Sequence, residues 1–234
     1  MMPKNLVLIG GGEIKGWNFE TKDSNQDLYQ TENIDKKIVE LSGKENPKML
    51  FIGTASKERE GYFEAIKNIY SNLNCTVDCL KMTDSNIKEK ILNSDIIYIG
   101  GGNTRFMLAE WEKVNLKEYL LEAYNKGIVV SGFSAGAYCW FKYNYEMIEG
   151  FGLIDAIICV HYEDKSNEKI EEFYNNIRLN NIPGIALDNG VAMKYSESKF
   201  EIIKSIKNAK AFKISYINDE FIKEELFENN TYTL

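Results

Sequence analysis

Ile96-Ile97-Tyr98-Ile99-Gly100-Gly101-Gly102-Asn103-Thr104 and Ile128-Val129-Val130-Ser131-Gly132-Phe133-Ser134-Ala135-Gly136 decide how this chain is read. In each stretch a short apolar run passes directly into a glycine turn. A Gly-x-Ser-x-Gly turn between a strand and a helix lifts a serine hydroxyl above the sheet edge, because glycine permits a backbone too tight for a Cβ. The amide after the serine is then free to donate to an oxyanion, and a second glycine turn can supply the partner amide. Ser134 is the candidate nucleophile.

Working outward, the same strand-then-turn pattern recurs. Asn5–Ile9 ends in Gly10-Gly11-Gly12, Lys48–Ile52 ends in Gly53-Thr54-Ala55-Ser56, and Cys75–Leu80 and Asp95–Ile99 read as further strands. Between them lie segments with helical spacing: Ile34–Leu41, Tyr62–Leu73, Ile87–Leu92, Asn103–Trp111 and Leu116–Ala123. Strands alternating with helices predict crossover connections, hence an α/β fold with a largely parallel sheet flanked by helices on both faces. Ligands bind such sheets at the carboxyl ends of the strands. Ala135–Phe141 is expected to be the helix whose positive end faces the serine. Small residues at 135, 136 and 137 let it approach the sheet.

The Gly10-Gly11-Gly12 turn misses the dinucleotide fingerprint, whose third glycine would fall at Lys15, so a tight connection facing the other glycine turns is expected there. Residues 17–31, rich in polar groups and containing Trp17, Phe19 and Tyr29, read as a surface loop that either covers part of a cleft or is an inert excursion. Downstream, Ile170–Leu179 has helical spacing, and Ala192–Tyr195, Phe200–Ile203 and Ala211–Ser215 read as short antiparallel C-terminal strands. The acidic tail Asp219–Glu228 is expected to cover the sheet edge or to fray.

A serine hydroxyl needs a neighbour that accepts its proton near neutral pH, and histidine is the usual one. The chain has one histidine, His161, which follows the apolar run Ile157–Val160 and so leaves a strand's carboxyl end. Only 27 positions separate Ser134 from His161, which does not fit an α/β-hydrolase, where acid precedes a late histidine. The acid is therefore sought later, where Ile185–Leu187 runs into Asp188-Asn189-Gly190. Asp188 can orient the imidazole and stabilise its charged form. The same residues also read as a hairpin turn joining Ile185–Leu187 to Val191–Tyr195.

Composition narrows the setting. The 234 residues, 44% of them apolar, suit one α/β domain spanning 1–234. With 28 basic and 35 acidic residues the net charge is −7, which argues against nucleic acid or an anionic membrane as partner. No apolar run approaches the roughly 20 residues that span a bilayer, and the N-terminus enters a strand pattern directly, so a cytoplasmic protein is expected. Cys75, Cys79, Cys139 and Cys159 lack zinc-site spacing and are expected to be reduced, mostly buried thiols.

Taken together, Gly100-Gly101-Gly102-Asn103-Thr104, Gly132-Phe133-Ser134-Ala135-Gly136-Ala137 and His161-Tyr162 after a strand make the chain resemble the peptidase E and cyanophycinase family of serine peptidases. Gly-Gly-Gly-Glu at 10–13 and Ile185-Ala186-Leu187-Asp188-Asn189 add to the likeness. The resemblance implies a class I glutamine amidotransferase-like fold, Ser134 as nucleophile, His161 as general base, and the amides of Gly102 and Ala135 as oxyanion donors. The acidic position aligns with Asp188 or, one residue on, with Asn189; Asp188 is preferred because an asparagine cannot neutralise an imidazolium, and Glu146 and Glu149 are fallback acids. No cofactor or metal is implied.

By that resemblance the substrate is a short peptide, and the activity that of a dipeptidase releasing N-terminal acidic residues. Lys165, Lys169 and Arg105 are the cations that could meet such a carboxylate, although Glu163 and Asp164 stand against an acidic ligand. The alternatives are a cyanophycinase-like hydrolase and a non-catalytic binding protein with a degenerate site; glutamine amidotransferase chemistry would call for cysteine at position 134. The resemblance also allows a homodimer in which a partner's loop closes the cleft.

Overall fold

The computed structural model describes residues 3–18, 20–21 and 27–234. In chain order its first half holds β1 (Leu6–Ile9), α1 (Glu32–Leu41), β2 (Lys48–Ile52), α2 (Glu60–Ser71), β3 (Thr76–Leu80), α3 (Ile87–Leu92), β4 (Ile96–Ile99), α4 (Thr104–Glu112), α5 (Leu116–Asn125) and β5 (Val129–Phe133). The second half holds α6 (Ala135–Tyr138), β6 (Phe141–Asn144), β7 (Ile154–Val160), α7 (Asn167–Asn180), β8 (Gly184–Leu187), β9 (Val191–Ser196), β10 (Lys199–Lys204), β11 (Ala211–Ile217), β12 (Glu220–Leu226) and β13 (Tyr232–Thr233).

Continuous apolar strands such as Ile96–Ile99 cannot leave a face in water, and here neither face is. Alternate residues of β1 feed opposite cores: Val7 and Ile9 pack with Ile34 and Ile38 of α1 and Tyr62 and Ile66 of α2, while Leu6 and Leu8 pack with Met107, Trp111 and Leu120 of α4 and α5. This is the two-sided burial typical of parallel sheets joined by crossover helices. The sheet runs β13-β10-β9-β1-β5-β4-β2-β3, parallel from β1 to β3, with β9, β10 and β13 antiparallel at the other edge.

Beside the expected largely parallel sheet stands a second one. Strands β12-β11-β8-β7-β6 form a second sheet, with β6, β7 and β8 parallel and β11 and β12 antiparallel. Phe173 and Ile177 of α7 pack on it, in the same core as the α4–α5 side of the first sheet. Three expectations change with it. The helix after Ser134 is a single turn, Ala135–Tyr138, not a run to Phe141, because Phe141–Asn144 is drawn into pairing with β7. Residues 188–190 do not close a hairpin: β8 lies in the second sheet and β9 in the first, so this turn crosses between sheets. The acidic tail neither frays nor merely covers: Glu220–Leu226 pairs along β11 as an edge strand.

Trp17, expected in a surface loop, lies inside the protein. It is buried and stacks on Tyr62, with ring centroids 5.6 Å apart. Tyr29 donates to the buried Asp35, which also accepts from Thr31 and Tyr70 and so ties this segment to α1 and α2. Phe19 lies outside the described residues. No helix among the described residues is long and apolar enough to cross a membrane. Cys75, Cys139 and Cys159 are buried and unpaired, and Cys79 is half-buried.

Candidate active site

Register places the parts. Ile9 lies opposite Phe133 and Ile99 opposite Gly132, so the turns after β1, β4 and β5 share one edge of the first sheet. In the second sheet Val160 lies opposite Leu187, bringing the exits of β7 and β8 together. The Gly10–Gly12 turn joins the two edges: His161 N–H donates to Gly10 O (2.8 Å), Gly190 N–H donates to Gly11 O (2.9 Å), and Gly10 N–H donates to Val191 O (2.8 Å). A Cβ on Gly11, at φ +138°, would stand 2.2 Å from His161 Cε1 and Nδ1 and 2.4 Å from Asn189 Oδ1. That glycine therefore makes room for the imidazole and its neighbour, which accounts for the turn without any nucleotide.

Ser134 sits at φ +51°, a strained backbone for a residue with a Cβ. The turn around it is too tight for side chains, since a Cβ on Gly132 would meet Gly136 O at 2.1 Å and one on Gly136 would meet Ile99 O at 2.4 Å. His161 also has positive φ, +50°, at the exit of β7. The two side chains meet: Ser134 Oγ and His161 Nε2 are 3.0 Å apart. Phe133 closes one side of the imidazole, edge to face at 6.4 Å. Neither the Gly102 nor the Ala135 amide has a protein acceptor among the described residues. Gly102 is at φ +144°, its turn pinned where Asn103 N–H donates to Ala55 O and Asn103 Oδ1 caps α4 by accepting from Phe106 N–H.

The far ring nitrogen meets Asn189, not Asp188. Asn189 Oδ1 lies 2.6 Å from His161 Nδ1. Asp188 fails to reach the ring because it continues the β8–β11 ladder: its N–H donates to Lys210 O (3.0 Å) and its Oδ2 accepts from Lys210 N–H (2.8 Å). Its carboxylate is thereby turned toward β11 and buried, whereas Asn189, the first residue off the ladder, reaches the His161 ring. The fallback acids are elsewhere: Glu146 accepts from Asn144 Nδ2, and Glu149 bridges Tyr143.

Glu163 and Asp164 hold Asn189. Glu163 Oε1 accepts from the Asn189 N–H (2.6 Å), and Asp164 Oδ2 accepts from Asn189 Nδ2 (2.5 Å). Burial, and then a hydrogen bond to Asp188, push the Glu163 carboxyl up to about 7. The His161 imidazole is held below its ordinary range, mainly by burial and further by the Lys165 charge, while Asn189, Asp164 and Glu13 work the other way. It is thus kept neutral, the form in which it can accept a proton. A serine hydroxyl against Nε2, with a carbonyl oxygen taking the Nδ1 proton, is an arrangement able to activate the hydroxyl as a nucleophile.

Of the expected cations, Lys165 covers the Tyr145 ring at 4.9 Å and Lys169 is exposed on α7. Arg105 is exposed on α4, three residues beyond Gly102. Two others went unread in the sequence: Lys57 and Arg59 line a recess of about 200 Å³ together with Trp17, Ala55, Ser56, Gly101 and Gly102. The signal available was Gly53-Thr54-Ala55-Ser56, another strand exit, with both cations just beyond it. A larger recess, about 500 Å³ between α1 and α2, contains none of the residues around Ser134. Among the described residues no cluster of histidine, cysteine, aspartate and glutamate could hold a metal ion.

Known proteins resemble this chain along most of its length. A curated relative, an uncharacterized peptidase YgaJ of Bacillus subtilis strain 168, is 28% identical over 230 residues, covering 93% of this chain and 94% of that protein. A peptidase from an acI-B1 Actinobacterium has the same fold, with a TM-score of 0.74 at 17% identity over 100% of this chain and 98% of the other. A peptidase E-type protein of Listeria monocytogenes EGD-e matches with a TM-score of 0.64 at 20% identity, covering 86% and 98%. The pattern that defines peptidase family S51 matches residues 19–203. The chain belongs to that family, and it is a serine peptidase.

Proposed function

We propose that this serine peptidase cleaves short peptides with Ser134 as nucleophile and His161 as general base, Asn189 holding the ring and the amides of Gly102 and Ala135 receiving the oxyanion. The observation that carries the reading is the 3.0 Å approach of the chain's one imidazole to the hydroxyl of the glycine-flanked serine. Ser134 Oγ attacks the scissile carbonyl carbon while its proton passes to His161 Nε2. The imidazolium returns that proton to the leaving amine as the C–N bond breaks, and water, deprotonated by the same nitrogen, releases the acyl group from Ser134. Ala135 is fully buried, and an amide left there without an acceptor costs about 1–3 kcal/mol, so an incoming oxygen is a favoured partner.

Substrate choice follows from the recess beside Gly102. Lys57 and Arg59 face it with no carboxylate partner among the described residues, and both are exposed. That suits an acidic side chain, and a small recess suits a short peptide, hence the release of N-terminal acidic residues by a dipeptidase.

The test is hydrolysis of aspartyl and leucyl dipeptides alongside labelling with a fluorophosphonate. Ser134→Ala is expected to lose at least about 10³-fold in turnover and all labelling while folding normally. Arg59→Ala is expected to raise KM for the aspartyl substrate by roughly tenfold and leave the leucyl one unchanged. No modification of Ser134 in the folded wild type points instead to a binding protein with a degenerate site.

A further inference from the structure

We propose that Asp164 is a positioning residue that sets the tautomer of His161 through Asn189; the proposal rests on the peptidase reading given above. An asparagine amide offers an acceptor at one end and donors at the other, and either end fits against a ring nitrogen. If Oδ1 faces Nδ1, the ring carries its proton on Nδ1 and leaves Nε2 free to accept from Ser134. If the NH2 faces Nδ1, the proton moves to Nε2, and the imidazole can no longer take the hydroxyl proton.

The choice is not made at the ring, which adapts to whichever end it meets. It is made behind Asn189. The Asp164 carboxylate can only accept, and its Oδ2 lies 2.5 Å from Asn189 Nδ2. Turning the amide over would set its carbonyl oxygen against that carboxylate. The hinge of the side chain is fixed as well, since the Asn189 N–H is held by Glu163 Oε1 at 2.6 Å and the next amide, Gly190 N–H, by Gly11 O at 2.9 Å. Ser134, His161, Asn189 and Asp164 thus form one directed chain of hydrogen bonds, at 3.0, 2.6 and 2.5 Å, whose sense is dictated at its far end. A negative charge two bonds removed from the ring also favours the imidazolium that an asparagine cannot neutralise by itself. The other charged groups acting on the ring are Glu13, which favours the charged form, and Lys165, which opposes it.

Because the chain has a single histidine, its imidazole can be read by NMR of 15N-histidine-labelled protein without assignment and without any substrate. Wild type is expected to show the Nδ1–H tautomer. Asp164→Asn, close in shape, and Asp164→Ala are expected to move a large share of the ring to Nε2–H, with kcat falling roughly 10- to 100-fold and KM little changed. Adding Asn189→Asp to Asp164→Asn is expected to restore the Nδ1–H form, because a carboxylate presents acceptors whichever way it turns. An unchanged Nδ1–H tautomer in folded Asp164→Asn overturns the proposal, as does a displaced tautomer that Asn189→Asp does not recover. Failure of the peptidase reading would show separately, as an unlabelled Ser134 in wild type.

Discussion

Ser134 and His161 reach the same point from two sheets by different physics. On the first sheet the serine is held by backbone packed against glycines, with no space for a Cβ at Gly132 or Gly136. On the second, the imidazole and Asn189 are held by side-chain hydrogen bonds that end on Glu163 and Asp164. The first support is steric: it is blind to pH and intolerant of volume. The second is electrostatic: it accepts changes of size but depends on which groups carry protons. The Gly10–Gly12 turn belongs to both, accepting from the His161 N–H across the gap.

The strongest way to break this contrast is Gly132→Ala. A methyl placed 2.1 Å from Gly136 O meets backbone that cannot swing aside, so a loss of roughly 2–4 kcal/mol in folding stability is expected from denaturant titration. Wild-type stability would mean that the serine turn is not sterically set. Next comes Gly11→Ala, whose Cβ would collide with movable side chains, His161 and Asn189. Here turnover and fluorophosphonate labelling should fall by about 10²-fold from misplacement of the ring, with a smaller loss of stability. A stability loss as large as that of Gly132→Ala would place the shared turn with the steric half.

The smallest effect concerns pH. His161 is held below its ordinary range chiefly by burial. The neutral imidazole therefore persists as pH drops, and, with His161 as the proposed base, labelling should decline only below the usual histidine value of about 6.5. In the linkage sense a histidine with a lowered folded pKa contributes stability above its unfolded value and loses it as pH falls. An acidic limb at or above 6.5 would remove burial as the dominant influence on this ring.

The elements nearest Ser134 were legible because local chemistry and tertiary context agree there. Ile96–Ile99 is apolar at every position, is followed by glycines, and becomes the buried centre of a parallel sheet, as such a run must. His161 could be placed at a strand exit for the same reason. The one-residue ambiguity between Asp188 and Asn189 could not be resolved in the same way. Both follow the same strand, and the choice depended on whether Lys210, more than twenty residues later, extends the ladder past Leu187. Asp188 carries the charge that imidazole chemistry favours, and that preference pointed to the wrong residue.

By itself, then, the chain determined its parallel α/β core, the serine elbow, the strand that ends at its one imidazole, and membership of a peptidase family, because each rests on residues adjacent in sequence whose pattern admits few backbones. Tertiary structure alone decided that a second sheet carries the histidine, that Asn189 meets its ring, and that Glu163 and Asp164 support that asparagine. Those outcomes rest on contacts between strands far apart in the chain, where the partner of a polar side chain is set by register and by which amide the ladder has already used.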